Sequence, residues 1–164
     1  KFYVISDIHG SIKYLNDFFN IYDKESRLII LGDVLYHGPR NDLPLEYNPK
    51  EVIKLLNSVK DKILWIRGNC DSEVDEMVLD FKVYKEAKIR FNDYNIYLTH
   101  GHIKNETNMS LKEKDILLYG HTHINKLEKI KLAESLETVE NTNEKVKTKS
   151  IESKNQFIEN KTIF

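Results

Sequence analysis

The 164-residue chain carries six histidines, and five of them fall in three short stretches that contain glycine: "DIHG" from Asp7, "THGH" from Thr99 and "GHTH" from Gly120. Two further stretches, "GDV" with Asp33 and "GNCD" with Asn69, set a carboxylate and an amide beside a glycine. Hard oxygen donors mixed with imidazoles, without a thiolate cluster, suit Mn, Fe or Zn better than a Cys-rich structural site. Seven candidate ligands stand in these stretches, namely Asp7, His9, Asp33, Asn69, His100, His121 and His123. That is too many for one tetrahedral ion and enough for two ions about 3.5–4 Å apart that share a carboxylate, the arrangement of two-metal phosphoester hydrolysis. Taken singly, an Asp at a strand end is ordinarily a turn or cap residue, and a lone His ordinarily packs or faces solvent. Their joint occurrence carries the reading.

Each stretch closes an apolar run, so the elements behind them can be read next. "FYVIS", "RLIIL" and "KILWI" have the apolar, β-branched character of buried strands. Between them "SIKYLNDFFNIYDKE" spaces Ile12, Leu15, Phe19 and Tyr22 as a helix does, with Ser11 as N-cap. Asn48 and Pro49 read as the cap and first position of "KEVIKLLNSV", and Asp71 as the cap of "SEVDEMVLD". This alternation predicts βαβ units around a largely parallel sheet. Beyond Phe81 the pattern becomes β-rich: "KVYKEAKIRFND" and "YNIYLTHGH" read as adjacent strands, and "KDILLYGHTH" as another. The expected class is α/β with two packed sheets. Ligands gather beyond the carboxyl ends of parallel strands, and an extended backbone would turn Asp7 and His9, or His121 and His123, to one side.

Bulk properties set limits around this picture. Hydrophobic residues make up 40% and charged residues 31%, as in an ordinary globular domain. The formal net charge of -1 offers no general attraction to nucleic acid or membrane. Cys70 is the single cysteine, which fits a reducing, cytoplasmic setting. No run is long enough to span a membrane, nothing resembles a signal peptide, and a start at Lys1 suggests a removed initiator methionine. From residue 126 the chain lacks glycine, proline and histidine and is rich in Lys, Glu, Asn, Thr and Ser. We therefore divide it into a core, 1–125, and an atypical polar C-terminal segment, 126–164, either solvated or supplying closing strands.

The motifs "DIHG", "GDV", "GNCD", "THGH" and "GHTH", in this order, resemble the calcineurin-like metallophosphoesterase superfamily. The runs "GDVLYHGPRN" and "GNCDSEVDEM" are similar to its small bacterial phosphodiesterases of the YfcE type. The resemblance implies a two-sheet sandwich flanked by helices and two divalent ions, Mn foremost, with Fe, Zn or Ni as alternatives. It implies that Asp7, His9 and His123 hold one ion, that Asn69, His100 and His121 hold the other, and that Asp33 bridges them. It further implies attack on a small phosphodiester by a metal-bridging hydroxide.

Two departures from the family pattern stand out. The position after Asn69, a histidine in most members and their general acid, is Cys70 here, as in the YfcE-type branch. A thiol suits that role poorly, so good leaving groups such as phenols should be favoured. His102 and His37 are the other candidates for proton transfer, and Arg40 and Asn41 are candidates for gripping the phosphate. After His123 the family's asparagine-proline-glycine-serine turn is missing. Alternative activities are a phosphomonoesterase, a cyclic-nucleotide phosphodiesterase or a non-catalytic interaction scaffold of the same fold; the scaffold would be marked by eroded ligands. The expected partners are the small phosphodiester and, for the chain itself, further copies in a homo-oligomer. The stretch "IKNETNMSLKEK" reads as a short helix or a lid.

Overall fold

The computed structural model describes residues 1–128. The expectations for the C-terminal segment beyond that point lie outside the described residues. Four strands, β1 (Phe2–Ile5), β2 (Arg27–Ile30), β3 (Ile63–Ile66) and β4 (Val83–Tyr84), form a parallel sheet in that order. Helices α1 (Ile12–Phe19), α2 (Pro49–Asn57) and α3 (Glu73–Val78) connect them, with a 3-10 turn at Lys60–Lys62 before β3. A second sheet contains β5 (Ala87–Phe91), β6 (Tyr94–Leu98) and β7 (Asp115–Leu118). There β5 and β6 are antiparallel, while β6 and β7 are parallel.

The strand sequences explain the layering. Side chains alternate between the faces of a strand, and both faces of β2 and β3 are apolar. Leu28, Ile30 and Trp65 join the core beneath the helices, with Leu15, Phe18, Val52 and Leu56. Their neighbours Ile29, Leu31 and Ile66 join a separate core with Ile96 and Leu98 of the second sheet. The parallel sheet is thus covered by helices on one side and by the second sheet on the other, the expected α/β two-sheet architecture. Register then aligns the strand ends, because Ile5 pairs with Ile30 and Ile30 with Trp65. Leu98 pairs with Leu118 in the same way in the other sheet.

Local signals account for the helices, and the structure differs from the sequence reading in places. Ser11 caps α1, accepting from the Tyr14 N–H, and Asn48 caps α2 with Pro49 at its first position. However, α1 ends at Phe19, so Tyr22 lies beyond it; Tyr22 is still buried, and its hydroxyl donates to the Ser26 carbonyl at 2.8 Å. The cap of α3 is Ser72, not Asp71: Ser72 and Asp75 form a reciprocal capping box. The stretch expected as one strand from Lys82 divides into β4 in the first sheet and β5 in the second. The segment 103–114 holds no helix. Side chains stitch it into turns instead: the Asn105 amide donates to the Gly101 carbonyl at 2.9 Å, and Asn108 to the Ile103 carbonyl at 2.7 Å.

Candidate metal centre

The loops that follow β1, β2, β3, β6 and β7 carry the candidate ligands. Their backbone is not extended, and the sequence argument from alternation fails at this point. Asp7 (φ 54°), His9 (φ 48°), Asp33 (φ 57°), His121 (φ 70°) and His123 (φ 54°) all adopt left-handed conformations. Asp and His tolerate this region better than most residues, but each such residue costs on the order of 1–3 kcal/mol and persists only where its surroundings impose it. Here they do so by continuing the β1–β2 ladder past the strands. The N–H groups of Asp7, His9 and Gly10 donate to the carbonyls of Gly32, Asp33 and Val34 at 3.0, 2.9 and 2.8 Å. Close backbone approach completes the fit. A Cβ on Gly32 would lie 2.6 Å from the Gly68 Cα and from the His100 ring, and one on Gly120 would collide with Ser6 and Asp7.

Two groups of ligand atoms result. Donor atoms of Asp7, His9 and His123 lie within 4.8 Å of one another, and so do those of Asp33, His100 and His121. Asn69 joins the second group, its Oδ1 lying 3.0 Å from His100 Nε2. Asp33 stands between the groups. Its Oδ1 accepts the Cys70 N–H at 2.8 Å, while Oδ2 faces His9 Nε2 at 3.7 Å and His100 Nε2 at 3.3 Å.

The protonation pattern tests whether cations fit there. His9 Nδ1 donates to the Tyr36 carbonyl at 2.7 Å, and His100 Nδ1 donates to the Leu31 carbonyl at 2.5 Å. Carbonyls only accept, so each Nδ1 carries a proton and Nε2 is the ring nitrogen left to face the site. His9 Nε2 then faces His123 Nε2 at 3.1 Å, and His100 Nε2 faces the Asp33 carboxylate. Lone pairs gathered this closely call for positive charge between them, a proton or a metal ion. Burial opposes charge on His100, yet the hydrogen bond and charge of Asp33 outweigh it and raise its pKa. Burial likewise opposes the Asp33 charge, but His100 and the Cys70 N–H hold its pKa below the usual value. The donor set fits divalent ions, and the ring N–H to carbonyl bonds orient the histidines as outer partners of a metal ligand do.

Two residues that the sequence reading did not assign to the site help to build it. Ser6 donates to Asp7 Oδ2 at 2.5 Å and so fixes that carboxylate, whose oxygens also accept the His121 N–H at 3.0 and 3.2 Å. Asp71, read as a helix cap, is instead buried behind the loops of Asp33 and Asn69. It accepts N–H groups from Asp33 (2.9 Å), Val34 (2.8 Å) and Gly68 (2.7 Å), and the Trp65 indole N–H at 3.3 Å. Burial raises the Asp71 pKa despite these backbone donors. The "DS" pair before α3 held a signal for this, because Ser72 with Asp75 already makes the capping box.

The remaining candidates lie around this centre. Cys70 Sγ comes within 4.8 Å of donor atoms of His9 and Asp33. Burial, then the Asp33 charge, pushes its pKa up to about 12. His102 is exposed, 5.3 Å from the His100 ring and 6.1 Å from that of His121. Burial of part of its ring, then the charges of those two histidines, lowers its pKa. His37 packs edge-on against Tyr36 and Tyr47, and its Nδ1 is buried without a hydrogen-bond partner. Asn41 is exposed and donates its amide to the His37 carbonyl at 2.8 Å, so that donor serves the loop; Arg40 is exposed.

A family model described as a calcineurin-like phosphoesterase superfamily domain matches residues 1–141. The phosphodiesterase YfcE of Escherichia coli K12 is 42% identical over 128 residues, covering 76% of this chain and 70% of the relative. The proteins of that name from E. coli O6:H1 and O157:H7 give the same figures. The solved structure of YfcE, described as a phosphoesterase from E. coli, superposes with a TM-score of 0.71 at 42% identity, covering 74% of this chain and 69% of that one.

Proposed function

On the premise that this chain belongs to the calcineurin-like phosphoesterase superfamily, we propose that it is a two-metal phosphodiesterase acting on small phosphodiesters in the cytoplasm. Members of this superfamily are metal-dependent, and the chain has side-chain groups able to hold ions. The observation that carries the proposal is Asp33 Oδ2, a single oxygen facing His9 Nε2 at 3.7 Å and His100 Nε2 at 3.3 Å. In this reading Asp7, His9 and His123 hold one divalent ion, Asn69, His100 and His121 hold the other, and Asp33 contributes to both. Manganese is the first choice. Two such ions lower the pKa of bound water and neutralise charge on the phosphoryl group.

The chain's own contributions are positional and protic. Asp33 Oδ1 is held by the Cys70 N–H, leaving Oδ2 directed at the ligand nitrogens. The N–H of His121 holds Asp7. In the metal-free protein burial and the Asp33 charge push the Cys70 thiol up to about 12, which makes it a poor proton donor, and burial with the charges of His100 and His121 lowers the pKa of His102. Substrates whose leaving group needs no protonation, such as aryl diesters, should therefore react fastest. A scaffold role is the weaker reading, since every proposed ligand is in place.

The decisive experiment is hydrolysis of bis(p-nitrophenyl) phosphate by metal-stripped protein titrated with manganese, alongside Asp33→Asn. Activity that returns with metal in the wild type and stays absent in the variant supports the proposal. Manganese binding without turnover of mono- or diester would favour the scaffold, and failure to bind any divalent ion would overturn the metal-dependent reading.

A further inference from the structure

The loops bearing Asp33 and Asn69 come from different strands, and within the parallel sheet one carboxylate ties them together. Asp71 is 7% exposed and accepts four N–H donors. Two belong to the β2 loop, from Asp33 and Val34, and two to β3 and its loop, from Trp65 and Gly68. The left-handed turn at Asp33 (φ 57°) is what brings the consecutive N–H groups of Asp33 and Val34 to the same anion. In return Asp33 Oδ1 accepts the N–H of Cys70, the residue before Asp71, at 2.8 Å. The two loops are locked reciprocally, and the lock determines where Asp33 Oδ2 lies relative to His100 and where Asn69 Oδ1 lies beside it.

We propose that Asp71 is a positioning residue for the metal pair: without touching an ion, its carboxylate holds the bridging Asp33 and the Asn69 loop at the spacing that the second ion requires. The inference rests on the metal-dependent reading above. A residue that merely stabilised the fold would lower the melting temperature and leave ion affinity unchanged at temperatures where the protein is folded. A positioning residue changes affinity, and does so unevenly. Asp33, a donor to Asp71, belongs to the Asp33–Asn69–His100–His121 group, whereas none of the four donors comes from Asp7, His9 or His123.

The test is titration of metal-stripped wild type, Asp71→Asn and Ser72→Ala with manganese chloride by calorimetry, well below their melting temperatures. An asparagine preserves size but turns an NH2 toward at least one of the captured N–H groups. We expect two ions on the wild type and two at wild-type affinity on Ser72→Ala, which loses only a helix cap. For Asp71→Asn we expect one ion to weaken by about 10–100-fold, the usual effect of removing an outer partner of a metal ligand. Asp71→Asn binding both ions as tightly as wild type would overturn the inference while sparing the functional reading. No binding by the wild type would overturn that reading, and the inference with it. If Asp71→Asn does not fold, Trp65→Phe takes its place, deleting the indole donor and leaving a smaller ring in the core: weakened binding of one ion, well below the melting temperature, supports the proposal, and unchanged binding of both overturns it.

Discussion

Cys70 shows what the site does to an individual side chain. Buried beside the Asp33 carboxylate, its thiol stays protonated through neutral pH, with a pKa of about 12. In the metal-free protein we expect iodoacetamide at pH 8 to modify Cys70 far more slowly than free glutathione, as followed by mass spectrometry. Asp33→Asn should accelerate the reaction, because the carboxylate charge is the second largest contribution after burial. The same variant should lower manganese-dependent hydrolysis by more than about 100-fold, since even outer partners of a ligand cost 10–100-fold when removed. At this scale residue type and spacing were informative: all seven proposed ligands could be named from three histidine stretches and two glycine-flanked polar residues. The left-handed backbone that aims five of them was not legible, because no residue type demands it at Asp7 or His9. Ser6 was missed because nothing in the local pattern shows which way its hydroxyl turns, and the burial of Asp71 depends on the Asp33–Val34 loop of another strand.

Among the elements, the parallel strands depend on closely approaching loops. A Cβ on Gly68 would overlap the Asp33 carboxylate and its N–H. We therefore expect Gly68→Ala to lose manganese binding in calorimetry and to lower stability by about 1–3 kcal/mol, the usual cost of overpacking. Helix α3 gives a milder case: Ser72→Ala removes the cap and should cost about 1 kcal/mol in chemical denaturation. At the start of β7, a hydrogen bond from the Asn95 side chain and then the Lys112 N–H hold the Asp115 pKa below the usual carboxylate value. Its folded pKa is depressed, so its stabilisation is present above about pH 4 and lost as pH falls through the folded value. The Tm difference between wild type and Asp115→Ala should be measurable at pH 7 and vanish near pH 2. The caps of α1 and α2 were readable because Ser11 and Asn-Pro act over one turn. The division between β4 and β5 was not, because what separates Tyr84 from Ala87 is the choice of sheet, a long-range matter.

At the scale of the whole molecule, the two-sheet plan was legible from the change in pattern near Phe81, and the alternation of apolar faces in β2 and β3 accounts for it. Near-neutral charge predicts little attraction to a polyanion. Hydrolysis of a small diester should accordingly be indifferent to added single-stranded DNA between 50 and 200 mM salt. Metal removal should be felt globally, since ions bound only by the folded state stabilise it by about 2.7 kcal/mol at 100 times Kd. For a chain of this size that amounts to a Tm lower by about 5–10 °C for each ion removed by chelator, checked by calorimetry. The origin of the ligands gives this a further meaning. Of the proposed ligands, Asp7, His9, Asp33 and Asn69 follow strands of the first sheet, whereas His100, His121 and His123 follow strands of the second. Neither sheet alone owns a complete coordination sphere, so a chain with formed but undocked sheets would offer only half-sites. Ion uptake would then come last in maturation, and a loaded molecule would have certified its own assembly.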